Sequence, residues 1–266
     1  MNRSTRIYVA GHAGLAGSAI VRCLEAGDFS NIIIRSHSEL DLTQQAATRN
    51  FFHEEKPEVV ILAAAKVGGI NANNVLPATF AQTNLAIQTN VIHEAYKAGV
   101  TNLLFLGSSC IYPRDSRQPI RECDLLSGPL ELTNRSYAVA KIAGIEMCWA
   151  YNRQYGTRYI TVMPTNLYGP GDSYDLQTAH VLPALIRKVH EAVREKKSAF
   201  QAWGTGEVWR EFLCSDDMAE ACLLLLNIKT EHTCPLSNNC CKKPWLAQSV
   251  FHRKDGYRTF HLTQLY

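Results

Sequence analysis

Short apolar runs, separated by stretches with helical spacing, give the chain its rhythm from residue 6 to about residue 226. The runs at 7–10, 32–35, 59–63, 103–107 and 159–163 are continuous rather than alternating, which suits strands covered on both faces. Strands that alternate with helices form a parallel sheet, so the pattern predicts an α/β, doubly wound fold. Residues 15–26 put Ile20, Val21 and Leu24 on one face, and residues 181–197 do the same with Leu182, Leu185, Ile186, Val189 and Val193. Both segments read as surface helices. Arg187, Lys188, Arg194, Lys196 and Lys197 lie mainly elsewhere on the second one, and a solvated face explains them better than a phosphate site. After Ile228 the texture changes. Residues 230–244 are rich in Thr, Ser, Asn, Cys and Lys, and the remainder shows neither period.

Composition sets the bounds. With 266 residues, 46% hydrophobic and 19% charged, the chain can bury a core and form one large or two modest domains. A net charge of +3 is too small to predict nucleic acid or membrane as a partner. The apolar runs at 59–65 and 221–226 fall far short of the roughly 20 residues that span a bilayer. The opening residues lack the uninterrupted apolar stretch of a secretory signal, so a cytoplasmic location is expected. The 9 cysteines are an odd number, and Cys23, Cys148 and Cys222 sit singly inside predicted strands and helices, as small buried side chains do in a reducing compartment. His232, Cys234, Cys240 and Cys241 match no zinc spacing, and no metal is expected.

The chemistry begins at Gly11-His12-Ala13-Gly14-Leu15-Ala16-Gly17, which follows the first strand and opens the first helix. Glycines there allow a tight turn, a close approach of backbone to a pyrophosphate, and packing of helix on strand, while the helix N-terminus offers free N–H groups to the anion. At the end of the second strand, where an acidic residue would bind the ribose of NAD, stand Arg35, Ser36 and His37. A guanidinium there suits the 2′-phosphate of NADP; a solvated strand end is the alternative. Tyr137 and Lys141 share a helix face, and a nearby ammonium would lower the tyrosine pKa from about 10. The pair gains weight from Ser108 and Ser109 at the end of the fourth strand.

Together the glycine loop, the serines and the Tyr137–Lys141 pair resemble the short-chain dehydrogenase/reductase superfamily, in its extended branch that acts on nucleotide sugars. The segments 62–70, 107–113, 137–141, 164–170 and 180–183, in that order, narrow the resemblance to the family of GDP-L-fucose synthases, over roughly residues 6–226. That resemblance implies a Rossmann-type NADP-binding domain over residues 1–165, a smaller, incomplete C-terminal substrate domain over 166–228, and an atypical tail over 229–266. It implies that NADPH is held by Gly11, His12, Gly14, Leu15, Ala16 and Gly17, with Arg35, His37, Asp41 and Leu42 at the adenosine end. Leu106, Gly107, Ser108, Tyr137, Lys141, Pro164, Thr165, Asn166, Leu167 and His180 follow at the nicotinamide end. Ala13 and His37 stand where many bacterial members carry Arg, so only moderate preference for NADP is expected.

The implied substrate is GDP-4-keto-6-deoxy-mannose, contacted by Ser109, Asn166, Lys188, Trp203 and Arg210. Its ketone acidifies the hydrogens on carbons 3 and 5, so inversion needs a base and an acid on opposite faces. The resemblance assigns Cys110 as base and His180 as acid, with Ser108 and Tyr137 holding the ketone oxygen and Lys141 tuning Tyr137. Taken alone, Cys110 would read as a small core residue, His180 as a cap or surface residue, and Trp203 as core packing. A homodimer is implied too, with Phe80, Ile87 and Val91 as an apolar helix stripe. Two other readings stay open: a nucleotide-sugar 4-epimerase of the same branch, which has no use for a base at Cys110, and a dinucleotide-binding protein inactive because of its altered C-terminus.

Overall fold

The computed structural model describes residues 1–176, 178–202, 204, 207 and 209–228, together with the backbone of residues 246–247, 249–254 and 257–262. The strands are β1 (Ile7–Ala10), β2 (Ile32–Ile33), β3 (Val59–Leu62), β4 (Asn102–Leu106), β5 (Arg158–Val162), β6 (Asn166–Tyr168), β7 (Phe212–Cys214), β8 (Leu246–Ala247), β9 (Ser249–Lys254) and β10 (Tyr257–Leu262). The helices are α1 (Leu15–Ala26), α2 (Gln45–Glu55), α3 (Ile70–Val75), α4 (Pro77–Lys97), α5 (Arg135–Tyr155), α6 (Val181–Arg194) and α7 (Ser215–Asn227). The main sheet runs β2-β1-β3-β4-β5-β8, all parallel. From β1 the chain moves outward to β2 and then returns to the other side of β1 as β3. That reversal opens a crevice at the carboxyl ends of β1 and β3, the place where such sheets bind ligands.

Side-chain alternation explains the double winding. Tyr8, Val60, Leu103, Phe105 and Tyr159 point to one face, where Phe52 of α2, Val91 and Ile92 of α4, and Ile145 and Cys148 of α5 cover them. Val9, Ile61, Leu104, Leu106 and Val162 point to the other, under Ile20 and Leu24 of α1 and Met218, Cys222 and Leu226 of α7. Each fully buried side chain of this size contributes about 1.5–3 kcal/mol of transfer free energy, so strands apolar at every position are stable only with helices on both sides.

Some expectations are corrected. The second strand holds two residues, not four, because at this edge only Ile32 and Ile33 pair with β1, and Ile34 turns out to solvent. Helix α6 stops at Arg194, and of its residues only Pro183 and Ala192 are buried; Ile186, Val189 and Val193 are left 49%, 43% and 72% exposed. The basic residues beside them do belong to a solvated face, with Arg187 paired to Glu191 and Lys197 to Glu195. The stripe offered to a second copy is spent inside the chain: Phe80 and Val91 are buried, and Ile87 packs on the core under α4. In the tail, where no period was legible, β8 pairs with β5 and β9 with β10; main-chain pairing does not require an alternating side-chain pattern. His232, Cys234, Cys240 and Cys241 lie outside the described residues. No helix among the described residues is long and apolar enough to cross a membrane.

Candidate active site

The glycine loop meets its geometric demand residue by residue. Gly11 turns the chain off β1 with φ +84°, and a Cβ there would stand 2.6 Å from the backbone of Ala64 beyond β3. Gly17 lies against the loop itself: its Cβ would be 2.1 Å from the Gly11 carbonyl oxygen. Gly14 is different. It caps α1, is exposed, and would meet only the Gly11 oxygen, at 3.5 Å. An anion can therefore approach its backbone, and the first-turn amides of α1 face an end that no acidic side chain neutralises. Two buried polar atoms at these strand ends lack a hydrogen-bond partner, Nδ1 of His12 in the loop and Oγ1 of Thr165 beyond β5. A cradle of bare backbone with unspent polar atoms on either side fits a dinucleotide pyrophosphate.

Just beyond β2, Arg35 is not a free strand end. Its guanidinium pairs with Glu55 at the C-terminus of α2, donates to the Ile34 carbonyl at 2.7 Å and lies 5.7 Å over the Phe51 ring. Glu55 is a residue that sequence reasoning missed; nothing local links it to a partner twenty positions upstream. His37 is exposed, 4.0 Å from the Asp41 carboxylate, whose pKa is held below the usual range by hydrogen bonds from the Thr43 hydroxyl and amide. Leu42 is buried.

The reactive side chains gather where β4 ends. Gly107 keeps the chain against β5, its N–H donating to the Val162 carbonyl at 2.8 Å, and a Cβ would strike the Met163 sulfur at 2.6 Å. Ser108 then caps the short turn Ser109–Ile111, accepting from the Cys110 N–H at 3.4 Å, while Ser109 donates to the Pro164 carbonyl at 3.3 Å. Helix α5 brings Tyr137 to the same place, with its hydroxyl near enough to Ser108 for that side chain to favour the tyrosinate and its ring edge-on to Phe80. One turn further on, Lys141 is buried, donating to the Leu106 carbonyl at 2.7 Å with its ammonium 5.8 Å from the Tyr137 ring. Ser108, Cys110, Tyr137 and Lys141 thus form one cluster. His180 does not join it by any hydrogen bond. It caps α6 and is exposed, and the segment before it docks on the loop after β3 through the Gly69 N–H and the Thr178 carbonyl at 3.0 Å.

Electrostatics overturn one expectation. The Tyr137 pKa is raised, not lowered, because burial disfavours the tyrosinate and Cys110 adds to the effect, with only the Ser108 hydrogen bond opposing. An ammonium almost 6 Å away does not overcome that desolvation. Burial likewise pushes Lys141 down to about 8, with Cys110 working against it. The Cys110 thiol is pushed up by burial and held back by the Ser108 hydrogen bond and by Lys141. The cluster therefore keeps Tyr137 protonated as a donor, and at Cys110 burial outweighs the Ser108 and Lys141 neighbours that favour the thiolate.

The residues expected to contact substrate are less gathered. Asn166 in β6 donates from its side chain to the Glu211 carbonyl at 2.9 Å, and Leu167 packs on the core under α1 and α7. Lys188 reaches the Gln201 carbonyl at 3.1 Å, and Arg210 the Trp209 carbonyl at 2.9 Å. Trp203 lies outside the described residues. A cavity of about 720 Å³ opens at the amino end of the sheet, between Arg6, Phe52, Lys56 and Asn102, away from all of these groups.

Comparison with known proteins agrees with this geometry. The model of the NAD dependent epimerase/dehydratase family matches residues 7–236. GDP-L-fucose synthase 1 of Arabidopsis thaliana is 57% identical over 226 residues, covering 85% of this chain and 70% of the relative. GDP-L-fucose synthase of Escherichia coli K12 is 50% identical over 226 residues, covering 85% and 70%. Among solved structures, a GDP-L-fucose synthetase from Naegleria fowleri bound to NADP superposes with a TM-score of 0.76 at 30% identity, covering 85% of this chain and 73% of that one. The chain belongs to the NAD dependent epimerase/dehydratase family, in its branch of GDP-L-fucose synthases.

Proposed function

We propose that this protein converts GDP-4-keto-6-deoxy-mannose to GDP-L-fucose in the cytoplasm, inverting carbons 3 and 5 and then reducing carbon 4 with NADPH. The observation that carries this reading is the single cluster of Ser108, Cys110, Tyr137 and Lys141 at the end of β4, beside a glycine cradle at the switch of the sheet. Cys110 removes the proton from carbon 5 or 3, and the Ser108 and Tyr137 hydroxyls hold the ketone oxygen as negative charge develops on it. His180 returns a proton to the opposite face. NADPH, held by the Gly11–Gly17 loop, supplies hydride to carbon 4 when bound. Tyr137 gives its proton to the resulting alkoxide, and the Lys141 ammonium stabilises the tyrosinate left behind.

A 4-epimerase needs no thiol at position 110, and Cys110 beside Ser108 and Lys141 weighs against that alternative. Incubation with a panel of GDP- and UDP-sugars separates the two. Turnover of GDP-4-keto-6-deoxy-mannose alone is expected, and interconversion of UDP-glucose with UDP-galactose would reject the proposal.

Arg35 is the group set to prefer NADPH, and Glu55 competes for it. Calorimetric titration should give NADPH about tenfold tighter binding than NADH, the scale of one charged hydrogen bond. Glu55→Gln should widen the gap by releasing the guanidinium. Equal affinities in both proteins would remove Arg35 from the cofactor site.

A homodimer completes the proposal. With the Phe80, Ile87 and Val91 stripe turned inward, the large apolar side chains that α4 and α5 still present outward are Leu85, Val139 and Tyr155, 38%, 47% and 45% exposed. Light scattering at micromolar concentration should give twice the 29.7 kDa of one chain; a monomer would reject this part.

A further inference from the structure

We propose that Phe105 is a positioning residue for this reaction, its ring face seating the ammonium of Lys141 inside the core, and that position 144 is glycine so that the ring can lie there. The inference rests on the functional reading above only for what Lys141 does, not for how it is held. Lys141 is 3% exposed, and a buried cation ordinarily has an anionic partner. Among the described residues no carboxylate pairs with it. What it has is the Leu106 carbonyl at 2.7 Å and, from the preceding residue of the same strand, the face of Phe105 with its centroid 4.7 Å from Nζ. That separation lies well within the range at which a ring quadrupole attracts a cation. The Tyr137 ring is farther, at 5.8 Å.

The ring is itself fixed from below. A Cβ on Gly144, three residues after Lys141 on α5, would stand 2.6 Å from Phe105 Cζ and 2.9 Å from Gln88 Oε1. The Gln88 side chain in turn donates to the Ala140 carbonyl at 2.6 Å, pinning α5 one residue before the lysine. β4 thus offers Lys141 a carbonyl and a ring. The titratable neighbours are Cys110 from the turn after β4 and Tyr137 on its own helix. Among the described residues no carboxylate is held against it; beside the Cys110 charge, the Leu106 carbonyl and the Phe105 ring are the groups that favour the ammonium without titrating, and Phe105 supplies the larger surface.

The test must separate the ring's charge distribution from its bulk. 3,5-Difluorophenylalanine at position 105 keeps the shape and weakens the negative face, whereas Phe105→Leu removes the ring. The readout is the ionisation midpoint of Lys141, followed by carbon NMR of lysine labelled at Cε, with the resonance assigned by its loss in Lys141→Met. This needs neither substrate nor turnover, so a failure of the proposed function leaves it intact. From a starting point of about 8, the midpoint should fall by about half a pH unit with the fluorinated ring and about one unit with leucine. If Phe105→Leu fails to fold, the fluorinated protein decides alone. A midpoint that stays put or rises would make Phe105 a packing residue and overturn the proposal.

Discussion

Replacing Cys110 with serine is expected to slow the exchange of the carbon 3 and carbon 5 hydrogens with solvent by about 10²–10⁴-fold, the usual worth of a positioned general base. Burial already pushes the Cys110 thiol up, and the Ser108 hydrogen bond and the Lys141 charge hold it back. A serine hydroxyl in the same place is too basic for such neighbours to ionise. NADPH affinity should hardly change, because the cradle lies on the other side of β3. Tyr137→Phe should give the complementary result: hydroxyl lost, reduction blocked, but deuterium still entering carbons 3 and 5 through Cys110 and His180. Wild-type exchange in the Cys110 variant would remove it from the role of base.

The second large effect is expected at Gly17. In Gly17→Ala the new methyl would meet the Gly11 carbonyl oxygen at 2.1 Å, its carbon at 2.7 Å and the His12 Cα at 2.9 Å. All three are backbone atoms, so α1 must move off the loop. The loss of stability should reach or exceed the about 1–3 kcal/mol of ordinary overpacking, and NADPH binding should disappear with the loop's shape. Gly14→Ala is the instructive contrast. With φ −79° and its nearest neighbour at 3.5 Å, alanine fits the protein without strain, so melting should be unchanged while NADPH affinity falls, because the methyl occupies the space a phosphate needs. Calorimetry and titration on both variants check this; equal thermal losses would mean that Gly14 is structural too.

Much of this was legible in the sequence because it depends on local pattern. The apolar runs marked β1, β3, β4 and β5 to within a residue or so, and α1 from Leu15 to Ala26 without error, since strands covered on both faces and an amphipathic helix each leave a period in the chain. The glycine loop was readable for the same reason. What failed depends on distant partners. The Arg35–Glu55 pair, the Phe105 ring under Lys141 and the turning inward of Phe80 and Val91 are set by packing between elements. The direction of the Tyr137 shift was missed because spacing reveals an ammonium one turn away but not the depth of burial around the phenol. On α6 the amphipathic period was real, yet a period says only that a face is apolar, not that anything covers it.

The proposed function requires one site to carry out both proton exchange and hydride transfer on one substrate. The most direct measurement is the reaction of the protein with GDP-4-keto-6-deoxy-mannose and NADPH in heavy water, with product analysed by NMR and mass spectrometry. GDP-L-fucose carrying deuterium at carbons 3 and 5, with one NADPH oxidised per product formed, is the predicted result. A reduced sugar with no deuterium at those carbons, or a substrate that exchanges while NADPH is left untouched, would contradict it.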